Sequence, residues 1–155
     1  MNVYFSDEQD VPVDGAALRA LAERVLAAQG LPDGTEMALM LIGPAQMAAY
    51  QEEFMGRSGP TDVLSFPVAD LEPGVPPRRM ANDPPVALGD VFVCPEVVAA
   101  RIEEEDLEPG EYSMERLVVH GILHLLGYDH PDDDEEAANV MQDREDELLA
   151  GGGRS

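Results

Sequence analysis

The stretch "LVVHGILHLLGYDH", residues 117–130, is apolar almost all round, holds all three histidines of the chain and carries a glycine at position 127. Together with the residues before it, the run reads as a helix from Tyr112 to Leu126 buried in the middle of the fold. Positions i and i+4 of a helix share a face, so His120 and His124 can offer two nitrogens to one metal ion. Gly127 can take the left-handed conformation that stops a helix and turns the chain, which lets His130 return to the same ion from the loop beyond. Three imidazoles buried in apolar surroundings without partners would be costly to desolvate, and a bound ion offsets that cost. Three neutral imidazoles with a fourth position left to water is the arrangement of catalytic rather than structural zinc.

The spacing HxxxHxxGxxH is also that of the long metzincin signature HExxHxxGxxH, in which the glutamate is the general base of peptide hydrolysis. Here that position is Gly121. Without a carboxylate beside the ion, a peptidase lacks the group that activates its water. A target other than a peptide bond is expected.

The elements around this helix follow from period and punctuation. "NVYF" near the start suits a short strand, and Asp14 can cap a helix that buries Leu18, Leu21, Val25 and Leu26 before Gly30 stops it. "EMALMLIG", residues 36–43, is a buried strand, and Pro44 opens a helix whose Met47, Tyr50 and Phe54 form a core stripe. "MGRSGPTDVLSFP", residues 55–67, turns and then runs as a strand through Val63, Leu64 and Phe66 to Pro67. Six prolines from Pro67 to Pro85 mark a long loop or lid. "ALGDVFVCPE", residues 87–96, is a strand, with Pro95 starting a helix that ends in the solvated run Glu103, Glu104, Glu105, Asp106. A last helix opens at Pro131 and Asp132, puts Ala137, Val140, Met141 and Leu148 on one face, and gives way to a flexible tail over residues 151–155. The expected fold is α+β: one domain over residues 1–150, with a small mixed sheet of about four strands surrounded by helices.

Composition narrows the function. A chain of 155 residues can bury one core, roughly 70% of its unfolded surface. Nine basic against 32 acidic residues give a net charge of −23, which opposes any broad electrostatic grip on nucleic acid. If RNA is the substrate, a local patch or a metal must do the attracting. The single cysteine, Cys94, cannot form an internal disulfide and reads as a small buried apolar side chain. The opening "MNVYFSDEQD" lacks the basic segment and apolar core of a signal peptide, and no apolar run reaches the ~20 residues of a membrane span. A cytoplasmic protein with no membrane association is expected.

"HGILHLLGYDH", taken with "TDVLSFP" and "LGDVFVCPE", resembles the YbeY family of bacterial endoribonucleases and rRNA maturation factors. The resemblance implies that family's α+β fold with a cleft holding one zinc ion on His120, His124 and His130, although imidazole serves other divalent metals as well. It implies metal-dependent cleavage of single-stranded RNA, in maturation of the 3′ end of small-subunit rRNA and in ribosome quality control. Many family members place an arginine where this chain has Met55, which makes Arg57, the nearest cation, the candidate for holding phosphate. Ser65 is a candidate for orienting substrate or water, with a bond inside its own turn as the alternative. Asp129 is a candidate for orienting a ligand histidine, with capping of the turn before the last helix as the alternative. A second function is carried forward: a metal-stabilised ribosome assembly factor that works mainly through contacts with ribosomal proteins or other assembly factors. Arg57, Arg78, Arg79 and Arg101 facing the metal would favour the nuclease; scattered arginines would favour the docking protein.

Overall fold

Strands β1 (Asn2–Glu8) and β2 (Thr35–Ile42) pair in parallel and are joined by helix α1 (Gly15–Ala28). The computed structural model describes residues 1–130 and 133–152. Helix α2 (Pro44–Met55) follows β2 and leads to β3 (Val63–Pro67), which lies antiparallel to β4 (Val86–Val93) at the edge of the sheet. β4 in turn pairs in parallel with β2, so the sheet order is β1-β2-β4-β3. Helices α3 (Pro95–Glu105), α4 (Met114–Leu125) and α5 (Glu135–Gly152) complete the chain. The fold is α+β with a four-stranded mixed sheet, in the element order that the sequence patterns give.

Alternation along the strands divides the core. Leu39, Leu41, Val91 and Val93 meet α1, α4 and α5 on one face, while Met40, Ile42, Leu64 and Phe92 meet α2 on the other. The sheet is not regular: Glu36 pairs with Ala87 but Ala38 with Asp90, so β4 carries a bulge. Gly89 sits within it at φ +131°, and a β-carbon there would lie 2.1 Å from the Phe66 carbonyl oxygen. Only glycine can occupy that point.

α1 buries Leu18, Leu21, Val25 and Leu26 as its spacing requires, with the Asp14 carboxylate accepting from Ala17 N–H at its start. Two stripes differ from expectation. On α2, Met47 is buried but Phe54, in the last turn of the helix, is 56% exposed; it meets the rings of Tyr50 and Phe66 at centroid distances of 5.9 and 5.4 Å, at the rim of the core and not inside it. On α5, Val140 is 55% exposed and the inward line is Met141, Glu145, Leu148, each within 6% exposure. The helix also continues through Gly152, taking in two residues expected to belong to the tail. The expected start at Pro131 and Asp132, and tail residues 153–155, lie outside the described residues. Among the described residues, no helix is long and apolar enough to cross a membrane.

Candidate metal centre

α4 begins where the Ser113 hydroxyl accepts from Arg116 N–H, and buries Leu117, Val118, Val119, Ile122, Leu123 and Leu125. Its two histidines, four apart, share one flank of the helix and line the same hollow as Val63, Ser65 and Pro67 of β3. At the far end Gly127 N–H donates to the His124 carbonyl and Tyr128 N–H to the Leu123 carbonyl, at 3.2 and 3.0 Å. Gly127 has φ +99°, and a β-carbon on it would lie 2.1 Å from the Leu71 carbonyl oxygen of the proline-rich loop. The turn it permits brings His130 back beside the helix.

The three imidazoles meet through their Nε2 atoms. His120 Nε2 lies 3.0 Å from that of His124 and 3.2 Å from that of His130. The opposite nitrogens of two rings have partners of their own. His124 Nδ1 is 2.9 Å from the Tyr128 carbonyl oxygen, which can only accept, so this nitrogen carries the proton. His120 Nδ1 is 2.7 Å from a carboxylate oxygen of Glu145, which fixes the same tautomer. Burial above all, and then neighbouring His120, lowers the pKa of His124, so its neutral form is favoured. Neutral rings protonated on Nδ1 turn bare lone pairs toward one another at 3.0 Å, an arrangement that a cation between them satisfies. Two imidazole nitrogens bound tetrahedrally to zinc at ~2.0–2.1 Å lie about 3.3–3.4 Å apart, close to the separations found. Geometry and tautomers both fit a divalent ion, and the three ligand atoms all lie within 4.8 Å of one another.

The imidazoles open into a cleft of about 610 Å³ that follows β3 and is also lined by Met55, Arg57, Ser65, Asp70 and Asp129. The Ser65 hydroxyl donates neither within its turn nor to the cleft: it reaches across 3.1 Å to the Gly121 carbonyl, tying β3 to the helix of the histidines and leaving its lone pairs available. Asp129 accepts from the backbone N–H of His130 at 2.9 Å, a bond that holds the turn; among the described residues no imidazole N–H donates to it. Arg57 lines the cleft beside Met55. The other arginines are scattered: Arg79 bonds the carbonyls of Asp33, Asp83 and Pro84, Arg101 pairs with Asp62 at 2.9 Å, and Arg78 is exposed outside the cleft. Among the described residues, the charged side chains lining the cleft are thus Arg57, Asp70 and Asp129, which leaves it slightly negative; a divalent ion reverses the sign.

Sequence reading missed Glu145. This side chain, 7% exposed, accepts from Arg116 through one oxygen at 2.9 Å and faces His120 through the other. Its signal was an acidic residue at helical spacing between Met141 and Leu148.

The model of the family described as "Endoribonuclease YbeY" matches residues 4–152. A protein of Thermobifida fusca named "Endoribonuclease YbeY" is 41% identical over 155 residues, covering 100% of this chain and 96% of that one. One of the same name from Mycolicibacterium paratuberculosis is 38% identical, covering 93% and 81%. A Thermotoga maritima protein solved in solution superposes with a TM-score of 0.57 at 22% identity over 99% of this chain and 96% of its own, a likeness of fold.

Proposed function

As this chain belongs to the YbeY endoribonuclease family, we propose that it is a zinc-dependent endoribonuclease that cuts single-stranded RNA, acting in 3′-end maturation of small-subunit rRNA and in ribosome quality control in the cytoplasm. The observation that carries this reading is the convergence of three imidazole Nε2 atoms at the floor of an open cleft. His120, His124 and His130 would hold the ion, which when bound supplies positive charge for phosphoryl oxygens and acidifies adjacent water. Other divalent metals suit the same nitrogens.

The chain's own groups have distinct tasks. Arg57 offers a planar donor fork to a phosphate entering the cleft, taking the part that Met55 cannot. The Ser65 hydroxyl, anchored on Gly121, presents its lone pairs to a substrate hydroxyl or water. Asp129 holds the His130 backbone and so sets where that ring arrives. With one arginine against two aspartates, phosphate is attracted only once the ion is in place, which makes RNA affinity itself metal-dependent.

The scatter of Arg78, Arg79 and Arg101 away from the cleft supports the second reading, an assembly factor whose acidic surface docks on basic ribosomal proteins and whose metal is structural. The two readings separate in one assay. End-labelled single-stranded RNA is incubated with metal-loaded protein, chelator-treated protein and His124→Ala. Cutting by the first alone supports the nuclease; equal activity or equal silence in all three leaves the docking protein.

A further inference from the structure

We propose that Glu145, steered by Arg116, is a positioning residue that locks His120 with its proton on Nδ1 and its Nε2 lone pair toward the metal position. The inference rests on reading the three imidazoles as a metal site, and it adds the last helix to that site.

The arrangement has two halves. Glu145 sits 7% exposed on α5, and Arg116 sits 13% exposed on α4, one turn before His120. A carboxylate buried alone would be strongly disfavoured, so its place against α4 depends on a cation there. Arg116 supplies it: one Nη donates to a Glu145 oxygen at 2.9 Å, while the other serves the Asp146 carboxylate and the Gly110 carbonyl. With that oxygen occupied, the remaining one faces His120 Nδ1 at 2.7 Å. A carboxylate has no proton to give, so the ring must donate. Arg116 thereby determines which Glu145 oxygen meets the histidine, and Glu145 determines which histidine nitrogen is bare. Met141 and Leu148, buried on the same line of α5, hold the helix at the height this requires.

Glutamine at 145 breaks the logic without changing size. One end of its amide accepts and the other donates, so it cannot accept from both Arg116 and His120. If the oxygen stays with Arg116, the NH₂ meets Nδ1 and drives the His120 proton to Nε2, where it blocks a ligand bond.

The test uses the full chain and two readouts that need no RNA. Nitrogen-15 NMR of the metal-free protein reports the His120 tautomer, and competition with a chromophoric chelator reports zinc affinity. We expect the Nδ1–H form in the wild type, loss of that form or exchange between the two in Glu145→Gln, and a loss of zinc affinity of about 10–100-fold in that variant. Arg116→Lys, which keeps the charge but not the fork, should fall between. A wild-type His120 protonated on Nε2, or wild-type zinc affinity in Glu145→Gln, overturns the proposal. Should Glu145→Gln fail to fold, the wild-type tautomer and the Arg116→Lys affinity still decide it. A wild type that binds no zinc overturns the metal reading itself; one that binds zinc but cuts no RNA overturns only the nuclease reading.

Discussion

A β-carbon placed on Gly121 would lie 2.6 Å from Cγ1 of Val91 and 3.1 Å from Oγ of Ser65. The residue after the first histidine is therefore where α4 touches the sheet, and the contact is closer than any side chain allows. The position that carries the general base in metzincins is here pressed against Val91 of β4 and Ser65 of β3, a helix-to-sheet contact that leaves no room for a glutamate and sets the height of the imidazoles over the sheet.

Gly121→Ala should therefore destabilise the protein, although alanine is the better helix former by ~1 kcal/mol. Val91 is a stiff side chain in the middle of a paired strand, and overpacking of this kind costs about 1–3 kcal/mol. The net expectation is a fall of about 2–4 °C in thermal midpoint. A midpoint that rises would show that α4 can back away freely.

Arg57→Ala should weaken binding of single-stranded RNA by metal-loaded protein, and the slope of log affinity against log salt should become shallower by about 0.7, the share of one phosphate contact. Arg78→Ala, outside the cleft, serves as control and should leave the slope unchanged. Equal effects from both would mean that the cleft arginine has no special contact with phosphate.

The Tyr112 hydroxyl donates to Asp62 at 2.9 Å, beside the Arg101 pair that anchors the start of β3. Burial, and after it the Asp62 charge, raises the phenol well above its ordinary value of 10. The sign follows: above about pH 10 the unfolded chain gives up this proton while the folded one keeps it, so stability falls as pH rises past that point. Tyr112→Phe should lose about 1 kcal/mol near neutrality, from the missing bond, and show a flatter alkaline decline. Denaturant titrations of both proteins from pH 8 to pH 11 measure the difference; parallel curves would contradict the assignment.

Much of this was legible because its signals are local. The HxxxHxxGxxH spacing contains both the shared helix face and the turn that returns His130, so the three imidazoles could be brought together on paper. Strand and helix order followed from proline and glycine punctuation. What escaped depended on distant partners. Glu145 is one of 32 acidic residues, and its place between Met141 and Leu148 on the inward line of the last helix marks it for burial without saying what it would meet; Arg116, 29 positions earlier, is what makes that burial tolerable. The exposure of Phe54 likewise depends on what the end of its helix packs against, here the rings of Tyr50 and Phe66 at the rim, which spacing along the helix alone does not tell. For Ser65 the sequence offered two readings, orienting substrate or water and bonding within its own turn; the acceptor it uses, the Gly121 carbonyl, lies 56 residues away and neither reading named it.

Three imidazoles converging on one point of the cleft should hold a single divalent ion. Metal analysis with X-ray absorption at the zinc edge, on wild type and His124→Ala loaded with zinc and freed of excess, decides this. The wild type should hold one ion per chain with three nitrogen ligands at ~2.0–2.1 Å, and the variant should lose it. Zinc retained equally by both, or absorption dominated by oxygen ligands, would contradict it.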